Sequence, residues 1–398
     1  MAHSRFSRRE FSATLSKSLA MAFAFPALPS FLDARKRNAI PEGAIRLNFN
    51  ENPYGPSPKA TAALAGCAKI SFRYPDEADL QLSEALAKKY GVTRENIALG
   101  CGSTEILHAV DVAFLSPEKN VVVADPTYEA VLDYSRTMRS NAVRIPLTSD
   151  HRHDLQKMAA ACTSKTGVLY ICNPNNPTGT IVTRDELAAC AQAVPSTTLI
   201  LVDEAYNDFA TDPRYGTALE LIAKYPNVLI ARTFSKIYGM AGMRLGYAIG
   251  AKEQIAQISQ QLIQDNGNAA VLAAALASLD DPQNIATCRE RLVATRTWLC
   301  DALTHDGRSF IPSHANFVMI DMGSDVKPFI ERFKAQNIIV GRRFPAMANF
   351  LRVTIGTQSE TEAFLAALRQ IAPTAASKAG QDRKNEKAPR AIRAVEPL

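Results

Sequence analysis

At 398 residues, 47% of them hydrophobic, the chain is long enough for one large domain and a smaller one, each with its own core. Its formal charge of +6 lies in the ends: residues 1–40 hold +5 and residues 373–398 hold +3, so the body carries −2, which argues against a nucleic-acid enzyme with a basic folded surface. Seven cysteines without a Cys-x-x-Cys pair, six histidines without metal spacing and no run of eighteen apolar residues argue against a disulfide framework, a zinc ribbon and a spanning helix.

The chain opens with Ser7-Arg8-Arg9-Glu10-Phe11 and a mildly apolar stretch to Leu28, interrupted by Lys17. This resembles a twin-arginine export signal, which implies a leader over residues 1–34 and an exported, periplasmic product. Ala22-Phe23-Ala24 and Asp33-Ala34 are two possible cleavage points. The competing reading is a basic leader on a cytoplasmic protein. Residues 35–70 read as a segment that joins the smaller domain.

Residues 71–285 read as the large domain, and between about 95 and 250 short apolar runs alternate with helical stretches. The expected strands are Asn96–Gly100, Asn120–Ala124, Val168–Cys172, Leu199–Val202, Val228–Ala231 and Gly246–Ile249. Helices are expected near 103–115, 127–139, 183–193 and 217–223. Alternation of this kind implies βαβ units, hence an α/β fold around a mostly parallel sheet. The runs are apolar throughout, as strands covered on both faces must be. Ligands of such sheets bind beyond the carboxyl ends of the strands, and the polar motifs fall there.

The first motif is Gly100-Cys101-Gly102-Ser103-Thr104-Glu105, between a strand and a helix. Free N–H groups at a helix start attract a phosphate, and Ser103 and Thr104 add hydroxyls. The third glycine of a dinucleotide fingerprint is missing. Asp125-Pro126-Thr127-Tyr128 follows the next strand, where Tyr128 is either a stacking partner for a planar ligand or a core tyrosine. His151-Arg152-His153 reads as a solvated loop. Asn173-Pro174-Asn175-Asn176-Pro177-Thr178-Gly179 is stiffened by two prolines, so it can hold the Asn176 amide in register with a ligand.

Leu199-Ile200-Leu201-Val202-Asp203-Glu204-Ala205-Tyr206 sets a carboxylate at a strand end. A Walker B strand would look similar, but the chain has no G-x-x-x-x-G-K-[ST] loop. The alternative is an Asp beside a pyridine nitrogen, which keeps that ring protonated and electron-accepting. Thr233-Phe234-Ser235-Lys236 follows, with Arg244 eight residues on. A lysine that attacks an aldehyde must be neutral, and a desolvated turn supplies that. The nearby arginine and hydroxyls suit a phosphate. Residues 286–372 read as a smaller α+β domain, with helices at 287–304 and 326–336 and strands near 315–320 and 350–355. Arg352 lies inside the apolar run Leu351–Ile355, where a buried arginine needs an anion, either a ligand carboxylate or a structural Asp or Glu. Residues 373–398 read as a disordered basic tail.

Taken in order, Asn-Pro-x-x-Pro-Thr-Gly, Asp-x-Ala-Tyr, Ser-Lys and the following Arg resemble the fold-type I pyridoxal-phosphate aminotransferases of class I/II. Asn50-Glu51-Asn52-Pro53-Tyr54-Gly55-Pro56-Ser57 and Leu351-Arg352-Val353-Thr354-Ile355-Gly356-Thr357 narrow the resemblance to the histidinol-phosphate aminotransferase branch. The likeness covers about residues 41–370. It implies that Lys236 forms the Schiff base with pyridoxal phosphate and shuttles the proton. It implies that Asp203 meets the ring nitrogen, and that Asn176 and Tyr206 meet the ring oxygen. Ser103, Thr104, Thr233, Ser235 and Arg244 would surround the phosphate, and Tyr128 would stack on the ring. Arg352 would grip the substrate, and Tyr54 would reach the phosphate of the other subunit of a homodimer. The branch keeps an Arg shortly before the Leu-Arg-Val-Thr strand; here Arg342 and Arg343 stand in a different local context, so either could bind substrate or lie on the surface. The implied reaction moves an amino group between an amino acid, or an amine phosphate such as histidinol phosphate, and a 2-oxo acid. A decarboxylase or lyase on the same scaffold is the alternative.

Overall fold

The computed structural model describes residues 40–69 and 71–374. The leader reading on residues 1–34, and the tail reading beyond Thr374, lie outside the described residues. The described residues from Ile45 onward belong to one compact unit. Its strands are β1 (Ile45–Leu47), β2 (Ile97–Gly100), β3 (Asn120–Asp125), β4 (Ala142–Pro146), β5 (Thr166–Cys172), β6 (Leu199–Asp203), β7 (Val228–Thr233) and β8 (Gly246–Gly250), then β9 (Phe310–Ile311), β10 (Phe317–Asp321), β11 (Ile338–Val340) and β12 (Phe350–Thr354).

Seven of these make the central sheet, in the order β2-β8-β7-β6-β5-β3-β4. Pairing is parallel from β7 through β4, while β8 runs antiparallel to both of its neighbours. The inner strands are β-branched or aliphatic and buried on both faces, because each face has its own apolar cover. Side-chain alternation then sorts residues by parity. Leu169, Ile171, Ile200, Val202, Val228 and Ile230 face one core. Val168, Tyr170, Leu199, Leu201, Leu229 and Ala231 face the other.

Because β2, β3, β5, β6 and β7 point the same way, their carboxyl ends share one edge. The reversed β8 starts at that edge, which returns Arg244, two residues before it, to the same place. The sheet is thus mostly but not wholly parallel. β4 is an edge strand that the apolar pattern misses: its residues are half-buried or exposed, and it contains Arg144 and Pro146. The helix expected over 127–139 is shorter, Ala130–Thr137, which leaves Tyr128 in the loop after β3. Residues 218–221 make only a 3-10 turn.

In the C-terminal part, β10 pairs antiparallel with β12 and β9. β1 pairs parallel with β11, Ile45 opposite Ile338, while the helix Pro58–Gly66 packs against the helix Ala269–Leu279. Residues 45–66 therefore bridge both parts. The cores also differ from the expected pair: Phe317, Val340 and Val353 join the same apolar cluster as Leu169 and Val202. Among the described residues no helix is long and apolar enough to cross a membrane.

Candidate active site

At the shared strand edge lies a cavity of about 300 Å³. Its lysine comes from the turn after β7. Phe234 is fully buried and anchors that turn; burial of such a side chain stabilises by roughly 1.5–3 kcal/mol. The next residues, Ser235 and Lys236, face the cavity. Lys236 Nζ donates to the carbonyl oxygens of Phe49 and Asn50, each at 3.1 Å. Desolvation lowers its pKa to about 8, and the positive charges of Arg352 and Arg244 push the same way against Glu51 and Asp203. A sizeable neutral fraction exists at mildly alkaline pH, as an amine nucleophile requires.

Asp203 ends β6 and is buried. Its Oδ2 accepts from Tyr170 Oη at 2.9 Å and its Oδ1 from the Ala205 amide at 3.1 Å. Desolvation pushes its pKa up to about 6, and the Tyr170 and Ala205 bonds oppose the rise. The group is still an anion at neutral pH. Tyr206 Oη accepts from Asn50 Nδ2 at 3.0 Å and Asn176 Nδ2 at 3.5 Å. Lys236 Nζ stands 5.6 Å from the Tyr206 ring centroid.

A second group of donors gathers where β2 meets the helix Ser103–Phe114. The first turn of that helix presents its free amides and the Ser103 and Thr104 side chains to the cavity. Gly102 has φ +76°, and a Cβ there would lie 2.2 Å from Arg244 Nη2. The glycine thus lets the guanidinium reach the helix start. Thr233 Oγ1 donates to Ser235 Oγ at 2.9 Å, and Arg244 Nη1 to the same oxygen at 3.4 Å. Arg244 itself sits in a left-handed conformation, φ 59°. Among the described residues no carboxylate pairs with it. Cation, hydroxyls and helix amides converge without an anion of their own. Tyr128 and Thr127 form the adjoining wall, and Thr127 Oγ1 donates to Asn175 Oδ1 at 2.8 Å, which ties that wall to the proline-stiffened loop.

Arg352 enters from β12. Its Nη1 donates to Asn176 Oδ1 at 2.8 Å and its Nη2 to the Asn48 carbonyl at 2.9 Å. Its buried Nε has no hydrogen-bond partner among the described residues, and none of their carboxylates forms an ion pair with it. The structural Asp or Glu is therefore not there. Burial lowers its pKa to about 10, far above neutrality, so the cation persists.

The two arginines before that strand diverge. Arg342 lines the cavity and pairs with Glu129. Arg343 does not reach it: its guanidinium is held by Asp325 at 2.7 Å. Of the two readings open for Arg343, substrate contact or surface, its pairing with Asp325 away from the cavity favours the surface. Tyr54 does not line this cavity either; its ring lies against Arg291, Cζ 5.5 Å from the centroid. His153 is no solvated loop residue. It is buried, and desolvation pushes it down to about 4.

Some site residues escaped the sequence reading. Asn50, Phe49, Glu129, Cys172 and Phe344 line the cavity, and Tyr170 buttresses Asp203 from behind. In the sequence Asn50 stands out only as the first residue of the Asn50–Ser57 motif. It sits at φ 55°, its carbonyl oxygen accepts from Lys236 Nζ, and its side-chain Nδ2 donates to Tyr206 Oη.

The sequence profile described as aminotransferase class I and II matches residues 42–368. The histidinol-phosphate aminotransferase of Moorella thermoacetica is 39% identical, over 82% of this chain and 85% of its own length. The aromatic amino acid aminotransferase of Nocardia farcinica is 37% identical, over 81% and 90%. Among solved structures, histidinol-phosphate aminotransferase from Sinorhizobium meliloti, in complex with pyridoxal-5'-phosphate, superposes with a TM-score of 0.78 at 28% identity, covering 93% of this chain and 98% of that one.

Proposed function

The chain belongs to the class I and II aminotransferases, and from that premise we propose how its residues divide the work of a pyridoxal-phosphate enzyme that moves an amino group between an amine donor and a 2-oxo acid. The cavity fits that cofactor. It offers a desolvated lysine, a buried carboxylate that stays ionised above about pH 6, and a cradle of Arg244 and hydroxyls with which no carboxylate pairs among the described residues. When bound, the cofactor supplies an electron sink for the pair released at the substrate carbon.

Lys236 is the residue that would hold the cofactor covalently, and its Nζ is the base that takes and returns the substrate proton. Asp203 would keep the ring nitrogen protonated, with Tyr170 fixing the carboxylate's orientation. Asn176 and Tyr206 would donate to the ring oxygen. Ser103, Thr104, Thr233, Ser235 and Arg244 would hold the phosphate, and Tyr128 would flank the ring. Arg352 would anchor the substrate carboxylate, and Tyr54 would complete the site of a second copy in a homodimer.

The observation that carries this reading is a single cavity that holds Lys236, Asp203 and an arginine, Arg352, without a carboxylate partner. The test records the visible spectrum of the purified protein while amino donors are added. Conversion of the bound chromophore together with release of a 2-oxo acid supports amino transfer; carbon dioxide release instead would mark a decarboxylase. Lys236→Ala should abolish turnover, and turnover at the wild-type rate in that variant would sink the assignment.

We also propose export through a twin-arginine leader, from the Ser7–Phe11 order. Arg8→Lys with Arg9→Lys should then trap the protein in the cytoplasm. Unchanged fractionation of that variant would refute the proposal.

A further inference from the structure

We infer that Glu129 is a specificity-determining residue that biases this enzyme toward substrates anchored by a single carboxylate and against substrates anchored by a phosphate. The inference rests on the aminotransferase reading above and adds the charge of the substrate's anchoring group.

Four cations line the cavity: Lys236, Arg244, Arg342 and Arg352. The first two are assigned to the cofactor. Arg352 and Arg342 remain, and both sit against one ring: their Cζ atoms lie 5.0 and 4.4 Å from the Phe344 centroid. They differ in what holds them. Arg352 is buried, and among the described residues its Nε has no hydrogen-bond partner and no carboxylate pairs with it. Arg342 is half-exposed at the mouth and is ion-paired with Glu129, the residue after Tyr128.

A carboxylate carries one negative charge, and one guanidinium satisfies it bidentately. A phosphate monoester is close to dianionic at neutral pH and has three acceptor oxygens. It needs a second cation, and in this part of the cavity that cation is Arg342. To recruit it, the phosphate must displace Glu129 and then tolerate a neighbouring like charge. Because the ion pair is half-exposed, it is weak enough to break. Glu129 therefore acts as a resident competitor that tunes preference rather than as an absolute block.

The test compares kcat/KM for histidinol phosphate with that for the best of a panel of α-amino acids. The wild type should prefer the amino acid. Glu129→Gln keeps the size of the side chain and removes its charge; it should raise the phosphate-to-carboxylate ratio about tenfold. Adding Arg342→Ala should return the ratio to its wild-type value. A parallel calorimetric titration of the holoenzyme with inorganic phosphate should show Kd tightening by a similar factor in Glu129→Gln. A wild type that prefers histidinol phosphate, an unchanged ratio, or an equal loss on both substrates would overturn the inference. Failure of the wild type to transfer an amino group from any donor would instead strike the underlying reading, and the phosphate titration would still decide the role of Glu129.

Discussion

Tyr170→Phe should destabilise the cofactor-free protein at alkaline pH and much less at acid pH. The Tyr170 hydroxyl is fully buried and donates to Asp203 Oδ2 at 2.9 Å. A hydrogen bond to a charged acceptor is worth roughly 1.5–3 kcal/mol, which corresponds to about one to two pKa units. Removing it should lift Asp203 from about 6 to roughly 7–8. The sign follows from proton counting. Asp203 has a folded pKa above its unfolded value of 3.8. Its contribution is thus fully present below about pH 4 and is lost as pH rises through the folded pKa. In Tyr170→Phe the loss continues beyond pH 6, up to the new pKa. Urea unfolding followed by circular dichroism at pH 5 and pH 8.5 measures the difference. The variant should lose about 1.5–3 kcal/mol more at the higher pH. Equal losses at the two values would refute the idea that the hydroxyl serves the ionised carboxylate.

Three further outcomes are expected. Asp111 is fully buried with neither carboxyl oxygen hydrogen-bonded among the described residues, and desolvation pushes it up to about 8. Stability should therefore fall by about 1.4 kcal/mol per pH unit between roughly pH 4 and 8 on its account, and Asp111→Asn should remove that slope in the same unfolding assay. Arg352→Lys keeps the charge but loses the planar fork, so KM for amino acids should rise roughly tenfold to a hundredfold in steady-state kinetics. Gly102→Ala forces a Cβ against Arg244 at φ +76°; equilibrium dialysis should show weaker retention of pyridoxal phosphate, with a backbone cost of roughly 1–3 kcal/mol.

The central sheet was legible because its strands are buried on both faces and therefore read as unbroken apolar runs, bounded by loops rich in proline and glycine. That same rule hid β4, whose half-exposed residues and Arg144 resemble a loop. It also concealed the direction of β8. Gly246–Gly250 is as apolar as its neighbours, and nothing local distinguishes a strand that runs backward. Two joined cores were invisible for another reason. Contacts such as Phe317 with Tyr206, ring centroids 5.2 Å apart, link positions over a hundred residues distant.

The site divides along a similar line. Lys236, Asp203 and Asn176 were legible because each closes a strand or comes soon after one, so the strand end dictates its place; Arg244 instead stands two residues before β8, whose start lies at the same edge. Residues that serve the site from elsewhere carry no such mark. Tyr170 lies inside β5 and reads as a core aromatic; only the pairing of β5 with β6, Cys172 opposite Asp203, brings its hydroxyl to the carboxylate. Arg342 and Arg343 were indistinguishable in one dimension, and what separates them is the partner each finds, Glu129 or Asp325. Those partners come from distant parts of the chain, the loop after β3 and the turn before the helix Lys327–Ala335. The pair to which the preference for an anchoring group is ascribed above, Arg342 with Glu129, joins residues that lie 213 positions apart. A motif search aligned on the arginine alone would count a free cation where the fold supplies a neutralised one.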